Sequence, residues 1–203
     1  MPTRTEVARE AARLLYNRTI KEYKDAKEMA AASLRTRALP SNYEVAVELD
    51  RLVEEREGSD RLTRLIEMRK IAVTMMKLLS EYDPVLIGSV WRGTPRQGSD
   101  IDIVVYCDNP EEIEEKLAEL DLMGSEQKTF TLGGLPRTST HIAVQVMEHT
   151  VEVVVRPTRD REYYREEHCE TYGDIKRGIR LPELEKLIQL DPLRRFIPKR
   201  RNR

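Results

Sequence analysis

From Val85 to Tyr106 the chain reads VLIGSVWRGTPRQGSDIDIVVY, and this segment sets the fold class. Its two ends, VLIGS and DIDIVVY, are short, β-branched and bounded by Gly, Ser and Pro, as strands are. Alternation along DIDIVVY puts Asp100 and Asp102 on one face of the sheet and sends Ile101, Ile103 and Val105 together into a core. Gly88-Ser89 closes the strand before it, so a Gly-Ser corner and an acidic strand lie a short loop apart.

Upstream of Asp83-Pro84 the character is different. Residues 3–80 are helix formers, with Val7, Ala11, Leu14 and Leu15, then Val45, Val47, Leu49 and Leu52, at roughly helical intervals. Pro40-Ser41-Asn42 breaks the run and caps the next helix, and Gly58-Ser59-Asp60 breaks it again. These breaks predict three helices, the first of them long. Downstream, EEIEEKLAEL from Glu111 reads as a helix. QKTFTL from Gln127, THIAVQVM from Thr140 and VEVVVRP from Val151 read as strands, the last two joined as a hairpin through Glu148-His149-Thr150. After Pro157 come the charged helical segment RDREYYREEH and the short helix LPELEKLIQL, with Pro182 in its first turn. The expected class is α+β: a helical module over 1–82, then a mixed β-sheet core with flanking short helices and a basic tail over 83–203.

Bulk properties exclude several function classes. With 39% hydrophobic and 35% charged residues, the chain has the composition of a soluble globular protein. Its 35 basic residues are balanced by 36 acidic ones, so it is no polycation that coats nucleic acid. The ending LRRFIPKRRNR, with Arg194, Arg195, Lys199, Arg200, Arg201 and Arg203, is the exception, and it reads as solvated or as an RNA contact. Cys107 and Cys169 are far apart and form no Cys-x-x-Cys pair, which argues against a disulfide framework and a structural zinc. No signal-peptide or membrane-length apolar run is present, so a cytoplasmic location without membrane contact is expected.

The paired aspartates carry the chemistry. Two like charges on one strand face repel unless a cation lies between them, and such a pair can hold two Mg²⁺ or Mn²⁺ ions roughly 3.5–4 Å apart. Two ions suit phosphoryl transfer, which needs an activated hydroxyl, a neutralised pyrophosphate and a triphosphate held in line. Gly88 would let the backbone approach the triphosphate and Ser89 would add a hydroxyl. Arg92, and Arg96 beside it, would add positive charge against the outer phosphates.

Gly88-Ser89, the spacer, Gly93-Thr94 and Ser99-Asp100-Ile101-Asp102 together resemble the DNA polymerase β-like nucleotidyltransferase superfamily. The elements are similar to those of kanamycin nucleotidyltransferase, the minimal nucleotidyltransferases, archaeal CCA-adding enzymes and the oligoadenylate synthetases. The resemblance covers roughly residues 84–157. It implies a third carboxylate on a neighbouring strand, which Glu152 in Val151-Glu152-Val153 matches, as metal ligand and as general base for an acceptor hydroxyl. It also implies a nucleotide-binding role for Gly88, Ser89, Arg92 and Ser99, with NTP (ATP among the candidates) as substrate. The helical part precedes the core here, whereas in many relatives such helices follow it.

Other residues take plainer readings. Trp91 is expected as a packing anchor, Met75 and Met76 as helix core, and His141, His149 and His168 as structural, since none has metal-ligand spacing. The expected activity is NMP transfer from an NTP to an acceptor hydroxyl on a small molecule, a protein or an RNA end, with release of pyrophosphate. The alternatives are a degenerate nucleotide- or RNA-binding module, or a minimal-nucleotidyltransferase antitoxin that modifies a partner protein.

Overall fold

The computed structural model describes residues 2–132, 135–164 and 168–198. Two compact units are present. One comprises residues 1–61, 168–174 and 198–203, and the other residues 62–167 and 175–197. The expected division at residue 82 groups residues 62–82 with the helices, whereas the compact units group them with the sheet.

The first unit is helical. Helix α1 (Arg4–Tyr16) opens with a capping box in which Thr3 and Glu6 satisfy each other's backbone N–H groups. Helix α2 (Tyr23–Ser33) follows, so the single long helix expected here is two. The chain leaves α1 through Asn17 and a left-handed Arg18, and the alanines on either side pack α1 against α2. Tertiary packing of Ala8, Ala11, Ala12, Ala26 and Ala30 decides this turn, because small side chains let helices approach closely. Helical run α3 (Asn42–Leu78) begins with a second capping box, Ser41 with Glu44. It is interrupted at Gly58, whose φ of 47° and ψ of −125° are open only to glycine. The buried Arg61 guanidinium pairs with Asp50 across that break.

The second unit is built on a six-stranded mixed sheet ordered β3-β4-β5-β2-β1-β6. Its strands are β1 (Val85–Ile87), β2 (Ile101–Tyr106), β3 (Asp121–Leu132), β4 (Leu135–Val146), β5 (His149–Arg156) and β6 (Ile179–Arg180). β2 and β5 run parallel and every other neighbouring pair is antiparallel. Helices α4 (Gly88–Arg92), α5 (Pro110–Leu117), α6 (Arg161–Tyr164) and α7 (Leu181–Leu190) complete it. β3 and β4 begin earlier than their β-branched stretches suggest, because pairing with each other recruits weak strand formers, with an irregularity between Leu122 and Gly124. The β4–β5 turn is Met147-Glu148, one residue before the expected one, with Met147 left-handed at φ 54° and Val146 paired to His149.

One face of the sheet is closed. Leu86, Ile101, Ile103, Val105, Val151, Val153 and Ile142 form a core with Met68, Ala72, Met75 and Met76 of α3, Ile113 and Leu117 of α5, and Leu184 of α7. The opposite face carries Asp102, Glu152, His141 and Arg156, with a small apolar patch of Val104, Tyr106 and Val154. No helix among the described residues is long and apolar enough to cross a membrane.

Candidate active site

The site lies where β1, β2 and β5 meet on the open face. In the parallel register Asp102 stands directly beside Glu152, and Ile87 is opposite Asp102 on the other side. Asp100 is exposed and immediately precedes β2. Gly88 begins α4 with φ 70°, and a Cβ built on it would lie 1.9 Å from the Asp102 carboxylate oxygen Oδ2. Glycine is therefore required twice here, by backbone conformation and by the approach of the carboxylate.

The electrostatics reflect crowding of like charge. Burial, then the neighbouring Glu152 and Asp100 carboxylates, push Asp102 from an ordinary 3.8 up to about 8. A divalent cation placed beside such a carboxyl would reverse that balance by favouring its charged form. Glu152 also has polar partners. His141 Nδ1 is 3.0 Å from its Oε1, Ser139 Oγ is 3.0 Å from His141 Nε2, and Lys128 Nζ is 3.8 Å from the same Glu152 oxygen.

The residues expected to hold the triphosphate take different places. Ser89 comes directly after Gly88 at the start of α4, and its carbonyl takes the backbone N–H groups of Gly93 and Thr94. Ser99 closes the loop before β2, its Oγ accepting the Arg96 N–H at 3.0 Å and its own N–H donating to Arg96 O at 2.9 Å. Arg92 is 4% exposed, its Cζ lies 4.5 Å from the Trp91 ring centroid, and Nη1 donates to Phe196 O at 3.0 Å. That bond ties the guanidinium to the C-terminal segment. Trp91 packs as expected, stacked on Phe196.

Residues 65–153 match the family model for the nucleotidyltransferase domain. That segment is similar to a nucleotidyltransferase domain. All the expected site residues lie inside that match. Among solved structures, the chain is similar to the Cid1 poly(U) polymerase with MgGTP bound, at 13% identity and TM-score 0.31, over 50% of this chain and 35% of that one. It is similar to the GLD-2/RNP-8 complex at 16% and 0.32, over 61% and 40%. For a cytoplasmic RNA terminal U-transferase the values are 16% and 0.26, over 56% and 34%. The chain thus spans about a third to two fifths of the length of these structures. No curated protein matches in sequence.

Two residues of the matched segment that local pattern did not single out for function belong to the site's surroundings. His141, read as structural, is on β4 diagonal to Glu152, whose direct partner there is Ala143. Its place on the polar face follows from alternation once THIAVQVM and VEVVVRP are paired. Arg69 is fully buried and donates to Val90 O and Trp91 O at the end of α4 and to Pro192 O and Arg194 O, tying the Gly-Ser corner's helix to the C-terminal segment. Nothing in the helical pattern of RLIEMRKIAV separates Arg69 from the surface arginines around it. Lys199 to Arg203 of the expected basic tail lie outside the described residues.

Proposed function

We propose that this chain transfers a nucleoside monophosphate from an NTP to an acceptor hydroxyl by a two-metal-ion mechanism, releasing pyrophosphate. The observation that carries the reading is the side-by-side register of Asp102 and Glu152, with Gly88 cleared to receive the Asp102 carboxylate.

The donor set fits Mg²⁺ or Mn²⁺: it is all carboxylate oxygen, and burial together with the neighbouring carboxylates pushes Asp102 up to about 8. Among the described residues no three His, Cys, Asp or Glu side chains already converge on one point. Asp100, Asp102 and Glu152 would therefore share the ions with oxygens of the nucleotide. Bound there, the ions supply Lewis-acid stabilisation of the attacking and leaving oxygens.

The chain's own groups do the rest. Gly88 and Ser89 hold the triphosphate, and Ser99 shapes the loop that presents Asp100. Glu152 takes the proton of the acceptor hydroxyl, whose oxygen forms the new bond to the α-phosphorus as the bond to pyrophosphate breaks. His141 and Lys128 hold the Glu152 carboxylate aimed while it is proton acceptor. Purified protein incubated with each labelled NTP, Mg²⁺ or Mn²⁺, RNA and a small-molecule extract should transfer label and release pyrophosphate. Transfer that persists in Asp102→Ala, or the absence of NTP binding by the unaltered protein, would overturn the proposal.

A further inference from the structure

A second feature lies on the same open face. Arg156, Arg161, Lys176, Arg177 and Arg180 line one small cleft whose floor is the apolar side chains of β1 and β2, Tyr106 among them. Arg161 lies over the Tyr106 ring, 5.1 Å from its centroid, and its buried Nε has no hydrogen-bond partner among the described residues. Asp83 holds two of the five in place, Arg180 at 3.0 Å and Arg161 at 3.5 Å, and Glu183 pairs with Arg177.

We propose that this cleft is the acceptor subsite, and that it takes backbone phosphates of a nucleic-acid strand whose 3′-hydroxyl is presented to the carboxylates. The inference rests on the transferase reading and names its acceptor class. Three observations carry it. The cleft encloses about 70 Å³, far below the roughly 300–1,000 Å³ of a small-molecule pocket, so it fits a charged group and not a whole nucleoside. Its cations include four arginines, the side chain whose planar fork matches phosphate oxygens. Its position relative to the carboxylates also fits. Ile87, opposite Asp102, lines one end of the cleft, and Val104 and Tyr106 come after Asp102 on the same face of β2, so the cleft runs from beside Asp102 to about 13 Å along the strand, roughly the reach of a dinucleotide. Because β1 is antiparallel to β2 with Ile87 opposite Asp102, Gly88 and Ser89 are at the Asp102 end and the cleft extends toward the other. Triphosphate and strand phosphates would then occupy opposite sides of the carboxylates, as an in-line transfer requires.

The test uses the full chain, a short 5′-labelled single-stranded RNA without NTP, and a separate titration with NTP and Mn²⁺. Lys176→Glu with Arg177→Glu alters side chains at the cleft's open edge, and Arg180→Gln is a milder second variant should the first fold poorly by thermal melting. Arg51→Glu with Arg56→Glu removes the same charge from the helical unit. The cleft variants should weaken RNA binding about tenfold or more and flatten its salt dependence by about one unit of slope for each phosphate no longer bound. NTP binding and the Arg51/Arg56 variant should be unchanged. RNA affinity that is absent in the unaltered protein, untouched by the cleft variants, or lowered equally by the Arg51/Arg56 variant overturns the proposal. So does an NTP affinity that falls in step with RNA affinity, which would make the cleft a triphosphate site. Failure of the unaltered protein to bind NTP overturns the transferase reading and with it the cleft's role as acceptor subsite, whereas failure of the RNA arm alone overturns only the subsite.

Discussion

Replacing Arg69 by methionine should destabilise the protein by about 3–5 kcal/mol while leaving every carboxylate of the site in place. Arg69 is fully buried, with donor distances of 3.2 Å to Val90 O, 3.0 Å to Trp91 O, 2.6 Å to Pro192 O and 2.9 Å to Arg194 O. Burial pushes its pKa down from the ordinary guanidinium range to about 10, a desolvation penalty of roughly 3 kcal/mol at about 1.36 kcal/mol per unit. Hydrogen bonds from a charged donor contribute about 1.5–3 kcal/mol each, so four of them outweigh that penalty. Methionine preserves the apolar stem and relieves the penalty, but it leaves four carbonyls without their donor, and relaxation recovers only part of the loss. Urea unfolding should show the midpoint fall with an unchanged slope. Arg69→Lys keeps the charge without the fork and should lose about half as much. The end of α4 loses two of its ties, so affinity for NTP should fall together with stability. A loss below about 1 kcal/mol in Arg69→Met would contradict this account, because it would mean the four bonds only balance the cost of burying the charge.

Other expectations concern the site directly. Asp102 titrates near 8 in the folded chain without metal and near 3.8 when unfolded. Between those values the folded state holds a proton that the unfolded state has released, so the stability this group contributes is complete below about pH 4 and is lost as pH rises through about 8. Asp102→Asn should therefore be more stable than the unaltered protein at pH 8.5 in EDTA, by about 2–4 kcal/mol, and equal to it near pH 4; urea midpoints at the two pH values check this. Mg²⁺ or Mn²⁺ should raise the melting temperature of the unaltered protein more at pH 8.5 than at pH 6, since binding displaces that proton, and should do nothing for Asp102→Asn. Gly88→Ala should both strain a backbone at φ 70° and collide with the Asp102 carboxylate; the expected results are a lower melting temperature and loss of metal-dependent NTP binding. His141→Ala should leave NTP affinity near normal and lower the rate of transfer by about 10–100-fold, read as a fall in kcat at fixed KM.

Much of the frame was legible from short-range pattern. Alternation in IDIVVY decided which side chains of β2 enter the core and put the Asp pair together on the other face, the adjacent Gly88 and Ser89 marked the corner before it, and Glu152 in Val151-Glu152-Val153 was picked out by the family resemblance. Turn chemistry was less legible: the break after Tyr16 carries no strong helix-stopping residue, and only packing of the alanine faces accounts for it. Local alternation and turn residues, which act over a few positions, were enough to specify an α+β chain with a mixed sheet and an acidic strand after a Gly-Ser corner. Long-range packing alone puts Glu152 in register with Asp102, brings His141 to Glu152, turns Arg92 to the C-terminal segment and has Arg69 hold it. Those contacts join residues 11 to 125 positions apart, and a contact over such a span depends on strand register and helix packing, which no local pattern contains.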